Sequence, residues 1–323
     1  MSQDARIAFL FAGQGAQTVG MGRDLYEAYP AVRELYDRAD AAVPFDLAKT
    51  SFEGPEDELR RTDVSQPAIV VHSLAALAAL EAELGGKLPE VACAAGLSLG
   101  EYSALAFAGA LSLEDTLALV IARGRHMQAC CERVPSGMTS VLGLDVEALA
   151  PAVEAGAQHG EVGVANDNAP GQVVLSGETE ALEAAAAKAK ELGARRALPL
   201  NVAGAYHSRL MSPAGEALRE DLDRVEFRAP RVPVFSNRTA APHGDDPEEI
   251  RRLLVEQVSG TVRWRESMSA MFALGVERCF EFGPGGVLRG LVRRNDRSKS
   301  CLSVATAEDV KQAAAELSAR IEA

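Results

Sequence analysis

Apolar residues along this chain come in two rhythms. Some form short unbroken runs of strand length; others return every three or four positions, as on one face of a helix. Residues 6–12 (Arg6-Ile7-Ala8-Phe9-Leu10-Phe11-Ala12) make the first short run and predict a buried strand, followed by the turn Gly13-Gln14-Gly15-Ala16-Gln17 and helical material over 21–29. Residues 66–84 predict a long alanine- and leucine-rich helix started by Pro67, and 91–95 a second short strand that runs into Gly96-Leu97-Ser98-Leu99-Gly100. Leu113, Leu117, Val120, Ile121 and Met127 give 113–133 a single buried helical face.

Between 135 and 202 the elements are shorter and differently ordered. Strands are predicted over 138–144, 162–166, 172–176 and 195–200, with helices over 146–155 and 179–192, the latter capped by Thr179. The order β-α-β-β-α-β is that of a small ferredoxin-like unit. Afterwards the first rhythm resumes: a strand over 232–236, a helix over 247–258, a strand over 277–282, the turn Gly283-Pro284-Gly285-Gly286 and a helix over 287–294. The fold class expected is therefore α/β: a large α/β-hydrolase-like domain with a parallel sheet, built from 1–134 and 203–323, and a small inserted ferredoxin-like β-α-β-β-α-β subdomain at 135–202.

Composition narrows the function classes. Of 323 residues 47% are hydrophobic and 24% charged, as in ordinary globular enzymes, and the formal net charge of −13 argues against a general nucleic-acid binder, which needs a basic footprint. The first six residues carry no apolar signal-peptide core, and no window approaches the roughly 18 uninterrupted apolar residues of a membrane span. Five cysteines without metal-ligand spacing, two of them adjacent (Cys130 and Cys131), suggest reduced thiols and a cytoplasmic protein.

The chemistry is concentrated at Gly96-Leu97-Ser98-Leu99-Gly100. A strand before and a helix after make this G-x-S-x-G a nucleophile elbow, in which a strained turn lifts the serine hydroxyl over the sheet edge beside the free N–H groups of a helix start. A serine needs a base, and histidine is the usual one. Among His72, His126, His159, His207 and His243, the first reads as structural, the second as a surface residue, and His159 and His243 as exposed in polar, turn-rich stretches. His207 lies where the chain leaves the small unit for the large one, and such junctions form clefts.

These residues also carry a resemblance. Phe9-Leu10-Phe11-Ala12-Gly13-Gln14-Gly15-Ala16-Gln17, Gly96-Leu97-Ser98-Leu99-Gly100-Glu101-Tyr102, Arg123-Gly124 with Met127-Gln128, Asn166-Asp167-Asn168-Ala169-Pro170-Gly171-Gln172, Ala205-Tyr206-His207-Ser208 and Phe282-Gly283-Pro284-Gly285 stand in the order found in malonyl-CoA:acyl carrier protein transacylases. The chain resembles that family over nearly its whole length. The resemblance implies that Ser98 takes the malonyl group as an ester and His207 carries the proton, steered by a main-chain carbonyl near Gln257 rather than by an acid. It places the oxyanion hole at the backbone N–H groups of Gln14 and Leu99, and Asn166, Gln257 and Tyr206 beside the substrate. Arg123 would hold the malonyl carboxylate in two parallel hydrogen bonds, which acetyl cannot offer. The ring of Tyr206 would fill the space needed by an α-methyl branch. Leu97 departs from the pattern, which has histidine there.

The expected partners are malonyl-CoA and acyl carrier protein, with no metal, no bound cofactor, no nucleic acid and no membrane, and the resemblance implies a monomer. Both partners are anionic while the chain is acidic, so local cations must receive them. Arg195, Arg196, Arg289 and Arg293 are the candidates, the last two sharing a helix face. The alternatives are a free-standing malonyl-loading acyltransferase of polyketide synthesis and an acyl-thioester serine hydrolase.

Overall fold

A computed structural model describes residues 6–321. Strands β1 (Arg6–Phe11), β2 (Cys93–Gly96), β7 (Val234–Phe235), β8 (Val276–Phe282) and β9 (Ser300–Val304) form one sheet in the order β7-β2-β1-β8-β9, with every neighbouring pair parallel. Ile7 to Phe11 are all buried because helices cover both faces of this sheet, the setting that turns a strand into an unbroken apolar run. Strands β3 (Ser136–Leu142), β4 (Val162–Ala169), β5 (Gln172–Glu178) and β6 (Arg196–Pro199) form a second sheet, antiparallel, in the order β4-β5-β3-β6. Helices Val146–Gly156 and Thr179–Glu191 pack on it around Val141, Leu149, Leu175 and Leu182, an apolar cluster separate from those of the parallel sheet.

The two sheets meet along one seam. Val262 pairs beside Asn166, the Asp167 N–H donates to the Val262 carbonyl at 3.0 Å, and the Val262 N–H donates to the Ala165 carbonyl at 2.8 Å. The Thr261 hydroxyl donates to the Val164 carbonyl at 2.7 Å. Four loops leave the carboxyl ends of β1, β2, β7 and β8 at one edge of the parallel sheet, where α/β folds place their ligands.

Several local expectations are corrected. The long helix starts at Thr62, not at Pro67, which lies inside it. It is apolar and long enough to cross a membrane by composition, yet 89% of its most apolar window is buried inside the protein, mostly against other helices. Glu178, not Thr179, occupies the N-cap of the helix that follows β5. Helices Pro30–Ala42, Ser212–Leu222, Trp264–Ala273 and Ala307–Ile321 and strand β9 were absent from the sequence expectation.

Candidate active site

The spelling of the elbow follows from contacts. A Cβ on Gly96 would lie 1.9 Å from the carbonyl carbon of Gly100, and a Cβ on Gly100 would lie 2.1 Å from the Phe11 carbonyl oxygen. Only glycine fits at either position, and the pair lets β2 turn at once into helix Gly100–Phe107 against the end of β1. Ser98 sits at the apex with φ 51°, a strained value for a residue with a side chain. Asn237, in the loop after β7, clamps the turn: its Oδ1 accepts from the Ser98 N–H at 2.6 Å and its Nδ2 donates to the Gly96 carbonyl at 2.8 Å.

His207 is also held at positive φ, 58°, and is 6% exposed. Its Nε2 is 2.8 Å from Ser98 Oγ and its Nδ1 2.8 Å from the Gln257 carbonyl oxygen. A carbonyl only accepts, so Nδ1 carries the proton and Nε2 presents its lone pair to the hydroxyl. Burial, reinforced by the nearby Arg123 charge, pushes the imidazole pKa down to about 4. At neutral pH the ring is therefore uncharged, with Nε2 free to accept the serine proton.

Helix Leu113–Cys131 brings Arg123 to the same point from the other side. The guanidinium is 1% exposed; Nη2 donates to Ser98 Oγ at 3.0 Å and to Gln257 Oε1 at 3.1 Å, and Nη1 donates to Gln66 Oε1 at 2.8 Å. It also lies over the Tyr102 ring, 5.6 Å from its centroid. All of its hydrogen-bond acceptors are neutral, Nε has no partner, and no carboxylate forms an ion pair with it among the described residues. Burial accordingly shifts its pKa down from the usual arginine value. A buried cation without its anion is a poor way to stabilise a fold and a good way to receive a carboxylate.

The remaining sequence candidates fall into three groups. The backbone N–H groups of Gln14 and Leu99 donate to no other group among the described residues, and the loop bearing Gln14 packs on the elbow: a Cβ on Gly13 would lie 2.5 Å from the Leu97 carbonyl oxygen. The Tyr206 hydroxyl meets Thr62 Oγ1 at 3.0 Å, and Asn166 sits at the seam without a hydrogen bond to Ser98, His207 or Arg123. Arg195, Arg196, Arg289 and Arg293 are all exposed and none enters an ion pair among the described residues. Arg195 lies beside the β4–β5 turn, since Gly143 touches Arg195 and bonds to Gly171, and the last residue of the helix that carries Arg289 and Arg293 reaches β4, where Asn295 Nδ2 donates to the Asn168 carbonyl. Leu97 is half-buried and packs with the cluster around Trp264.

One histidine is misplaced by its sequence context. His243 is buried, not exposed, and its Nε2 lies 2.7 Å from Glu101 Oε1 with both side chains fully sequestered. Sequence reasoning also passed over Gln66, Glu101 and Asn237. The signal for Asn237 was present, since Ser236-Asn237 directly follows a buried strand ending at the elbow's edge of the sheet.

The chain is similar to known acyl transferases over nearly its whole length. The family model described as an acyl transferase domain matches residues 8–315. The chain is 42% identical over 313 residues to the malonyl CoA-acyl carrier protein transacylase of Bacillus subtilis (strain 168), covering 96% of both chains. It is 44% identical over 294 residues to the protein of that name from Escherichia coli (strain K12), covering 90% of this chain and 92% of the relative. Among solved structures, the transacylase of Coxiella burnetii superimposes with a TM-score of 0.93 at 35% identity, over 97% of this chain and 98% of its own. A malonyl-transacylase in complex with a type II PKS acyl-carrier protein superimposes with a TM-score of 0.92 at 36% identity, over 97% of this chain and 100% of its own.

Proposed function

The chain belongs to the acyl transferase domain family, and from that premise we propose that it is an acyl-carrier-protein S-malonyltransferase. It moves a malonyl group from malonyl-CoA to the phosphopantetheine thiol of acyl carrier protein, through an ester on Ser98. The observation that carries the reading is Arg123, a buried guanidinium with only neutral acceptors whose Nη2 touches the serine hydroxyl.

In the first half-reaction the Ser98 hydroxyl gives its proton to His207 Nε2 as Oγ bonds to the thioester carbonyl carbon. The Gln257 carbonyl, accepting from Nδ1–H, stabilises the imidazolium that forms. The Gln14 and Leu99 N–H groups receive the developing oxyanion; one such donor is worth about 10²–10³ in rate. Collapse breaks the C–S bond, and His207 returns the proton to the departing thiolate of CoA. In the second half-reaction the carrier thiol repeats the sequence in reverse. Arg123 holds the far carboxylate throughout, which orients the acyl group and supplies the missing counter-charge. Tyr206 walls the α-carbon and favours the unbranched acid.

We read 135–202 as a ferredoxin-like subdomain inserted in an α/β-hydrolase-like domain, on the strand order β4-β5-β3-β6 with both helices on one cluster. Arg195, Arg196, Arg289 and Arg293 dock the acidic carrier and the phosphates of CoA. Cys93, Cys130, Cys131, Cys279 and Cys301 are unpaired, which suits an enzyme of the reducing cytoplasm. A thioester hydrolase is disfavoured by the same Arg123, which has no task in releasing simple acyl groups.

Mass spectrometry after mixing with malonyl-CoA tests the proposal. One malonyl adduct is expected on the peptide holding Ser98, discharged by acyl carrier protein and absent in Ser98→Ala. Free malonate released without carrier, at the rate of CoA release, overturns it.

A further inference from the structure

Behind the reacting groups lies a second layer that the mechanism above does not use. Glu101, three residues after the serine, is wholly buried, and three N–H donors converge on it. Gln257 Nε2 reaches Oε2 at 2.7 Å, the Asn237 backbone N–H reaches Oε2 at 3.0 Å, and His243 Nε2 meets Oε1 at 2.7 Å. The loop after β7 is folded to deliver that imidazole. Ser236 and Ala241 pair at 2.9 Å, the His243 N–H donates back to the Val234 carbonyl at 2.8 Å, and Ala240 is held at φ 55°. Ser98, His207 and Ala240 are the non-glycine residues at positive φ among those described, so the strain in this fold falls on the two reacting residues and on this loop.

The consequence concerns the Gln257 carboxamide. A carboxamide has two nearly isosteric ends, and only one orientation serves the site. As found, Nε2 donates to the Ser98 carbonyl at 2.9 Å and to Glu101, while Oε1 faces Arg123 Nη2 at 3.1 Å. Turned over, the amide would point N–H groups at the guanidinium and its oxygen at the Glu101 carboxylate. We infer that Glu101 and His243 are positioning residues that lock the Gln257 carboxamide in its productive orientation, and through it hold Arg123 ready for the substrate carboxylate. His243 supplies the fourth link in the chain His243–Glu101–Gln257–Arg123. It anchors the second carboxylate oxygen, so that the first stays turned to Gln257.

This inference rests on Arg123 receiving the malonyl carboxylate. The test therefore compares kcat/KM for malonyl-CoA with that for acetyl-CoA in full-length folded protein. His243→Leu and His243→Met remove the donor at similar volume, and His243→Gln restores an N–H toward Glu101. In whichever of the first two folds, the malonyl-over-acetyl ratio is expected to fall about tenfold, the size of one weakened charge-assisted hydrogen bond, and His243→Gln is expected to recover most of it. A ratio equal to wild type in Leu or Met, with only the melting temperature lowered, overturns the inference and leaves a structural pair. So does failure of Gln to recover the ratio. Arg123→Ala is measured alongside: if it leaves the ratio unchanged, the reading of the site itself falls, whereas a lowered ratio there with wild-type values at position 243 sinks the positioning role alone.

Discussion

The two sheets of this molecule are built to different standards. The antiparallel sheet is an economical unit: Val141, Leu149, Val173, Leu175 and Leu182 fill its own core on one face, while Met138 and Val174 on the other face join the main core of the molecule. No non-glycine residue between 136 and 199 has a positive φ. The carboxyl edge of the parallel sheet violates those habits repeatedly. It buries Arg123, Glu101, His207 and His243 within one hydrogen-bonded cluster and holds Ser98, His207 and Ala240 in strained backbone. Burying so many charged or titratable groups costs stability unless each is satisfied, and here Arg123 is left without an anion. The difference teaches where selection for chemistry has overridden selection for stability: the apolar clusters around Phe9, Phe11 and Phe282 and in the small sheet support a site that could not support itself.

The strongest way to break this comparison is to neutralise the buried cation. Arg123→Ala is expected to lower kcat/KM for malonyl-CoA by about 10²–10³, the usual cost of truncating one member of a buried charge pair, while acetyl transfer falls far less. Equal losses for both acyl groups would show that Arg123 merely organises Ser98 Oγ, and the contrast between a chemical edge and a structural sheet would lose its main support.

Leu175→Ala attacks the other side. The residue is fully buried on β5, so its truncation should cost about 2–5 kcal/mol in denaturant unfolding. The malonyl-over-acetyl ratio of the folded protein should not move. A shifted ratio would mean that the small sheet shapes the acyl site directly.

Acid separates the two regions next. Burial holds both His72 and His207 down to about 4, against an ordinary histidine value near 6.5. Between those limits the unfolded chain binds protons that the folded one refuses. The stabilisation is thus complete above about pH 6.5 and is lost as pH falls toward 4. Neither histidine lies in the small sheet. Unfolding followed against pH should steepen over that window, and kcat/KM should keep its base down to near pH 4 where the protein stays folded. An acid limb at about 6.5 would place His207 in contact with water.

How much of this was legible depended on the range of the contacts. The elbow could be read because its requirement is local: a strand, two glycines flanking Ser98 and a helix lie within a dozen residues. The succession of strands and helices over 135–202 could be read for the same reason, since each element is short and bounded by its own turn residues. Arg123 could not be read from its neighbours, since a mid-helix arginine looks like a solvated charge; only the resemblance singled it out. His243 was misjudged because Pro242 and Gly244 mark a turn, and turns are ordinarily exposed. Its partner, Glu101, is 142 positions away, and nothing in the local string announces that a loop will fold back under the elbow. Helix Ser212–Leu222, with proline at its start and an amphipathic pattern, was legible and overlooked.

The smallest effect belongs to the surface. Arg195, Arg196, Arg289 and Arg293 are exposed on a chain whose net charge is −13. A small set of arginines cannot reverse that field at long range, but within a Debye length of about 8 Å they can present a local positive face to an acidic partner. Single exposed charges contribute little, so the expected signature is collective. The apparent KM for acyl carrier protein should rise a few-fold as salt increases from about 50 to 200 mM, with kcat nearly constant, because screening slows encounter more than it alters chemistry. Arg196→Glu with Arg293→Glu should reproduce the effect at low salt and flatten the further response. If KM is insensitive to salt in the wild type, the carrier approaches over another face, and the small sheet serves as a wall of the cleft and not as part of the dock.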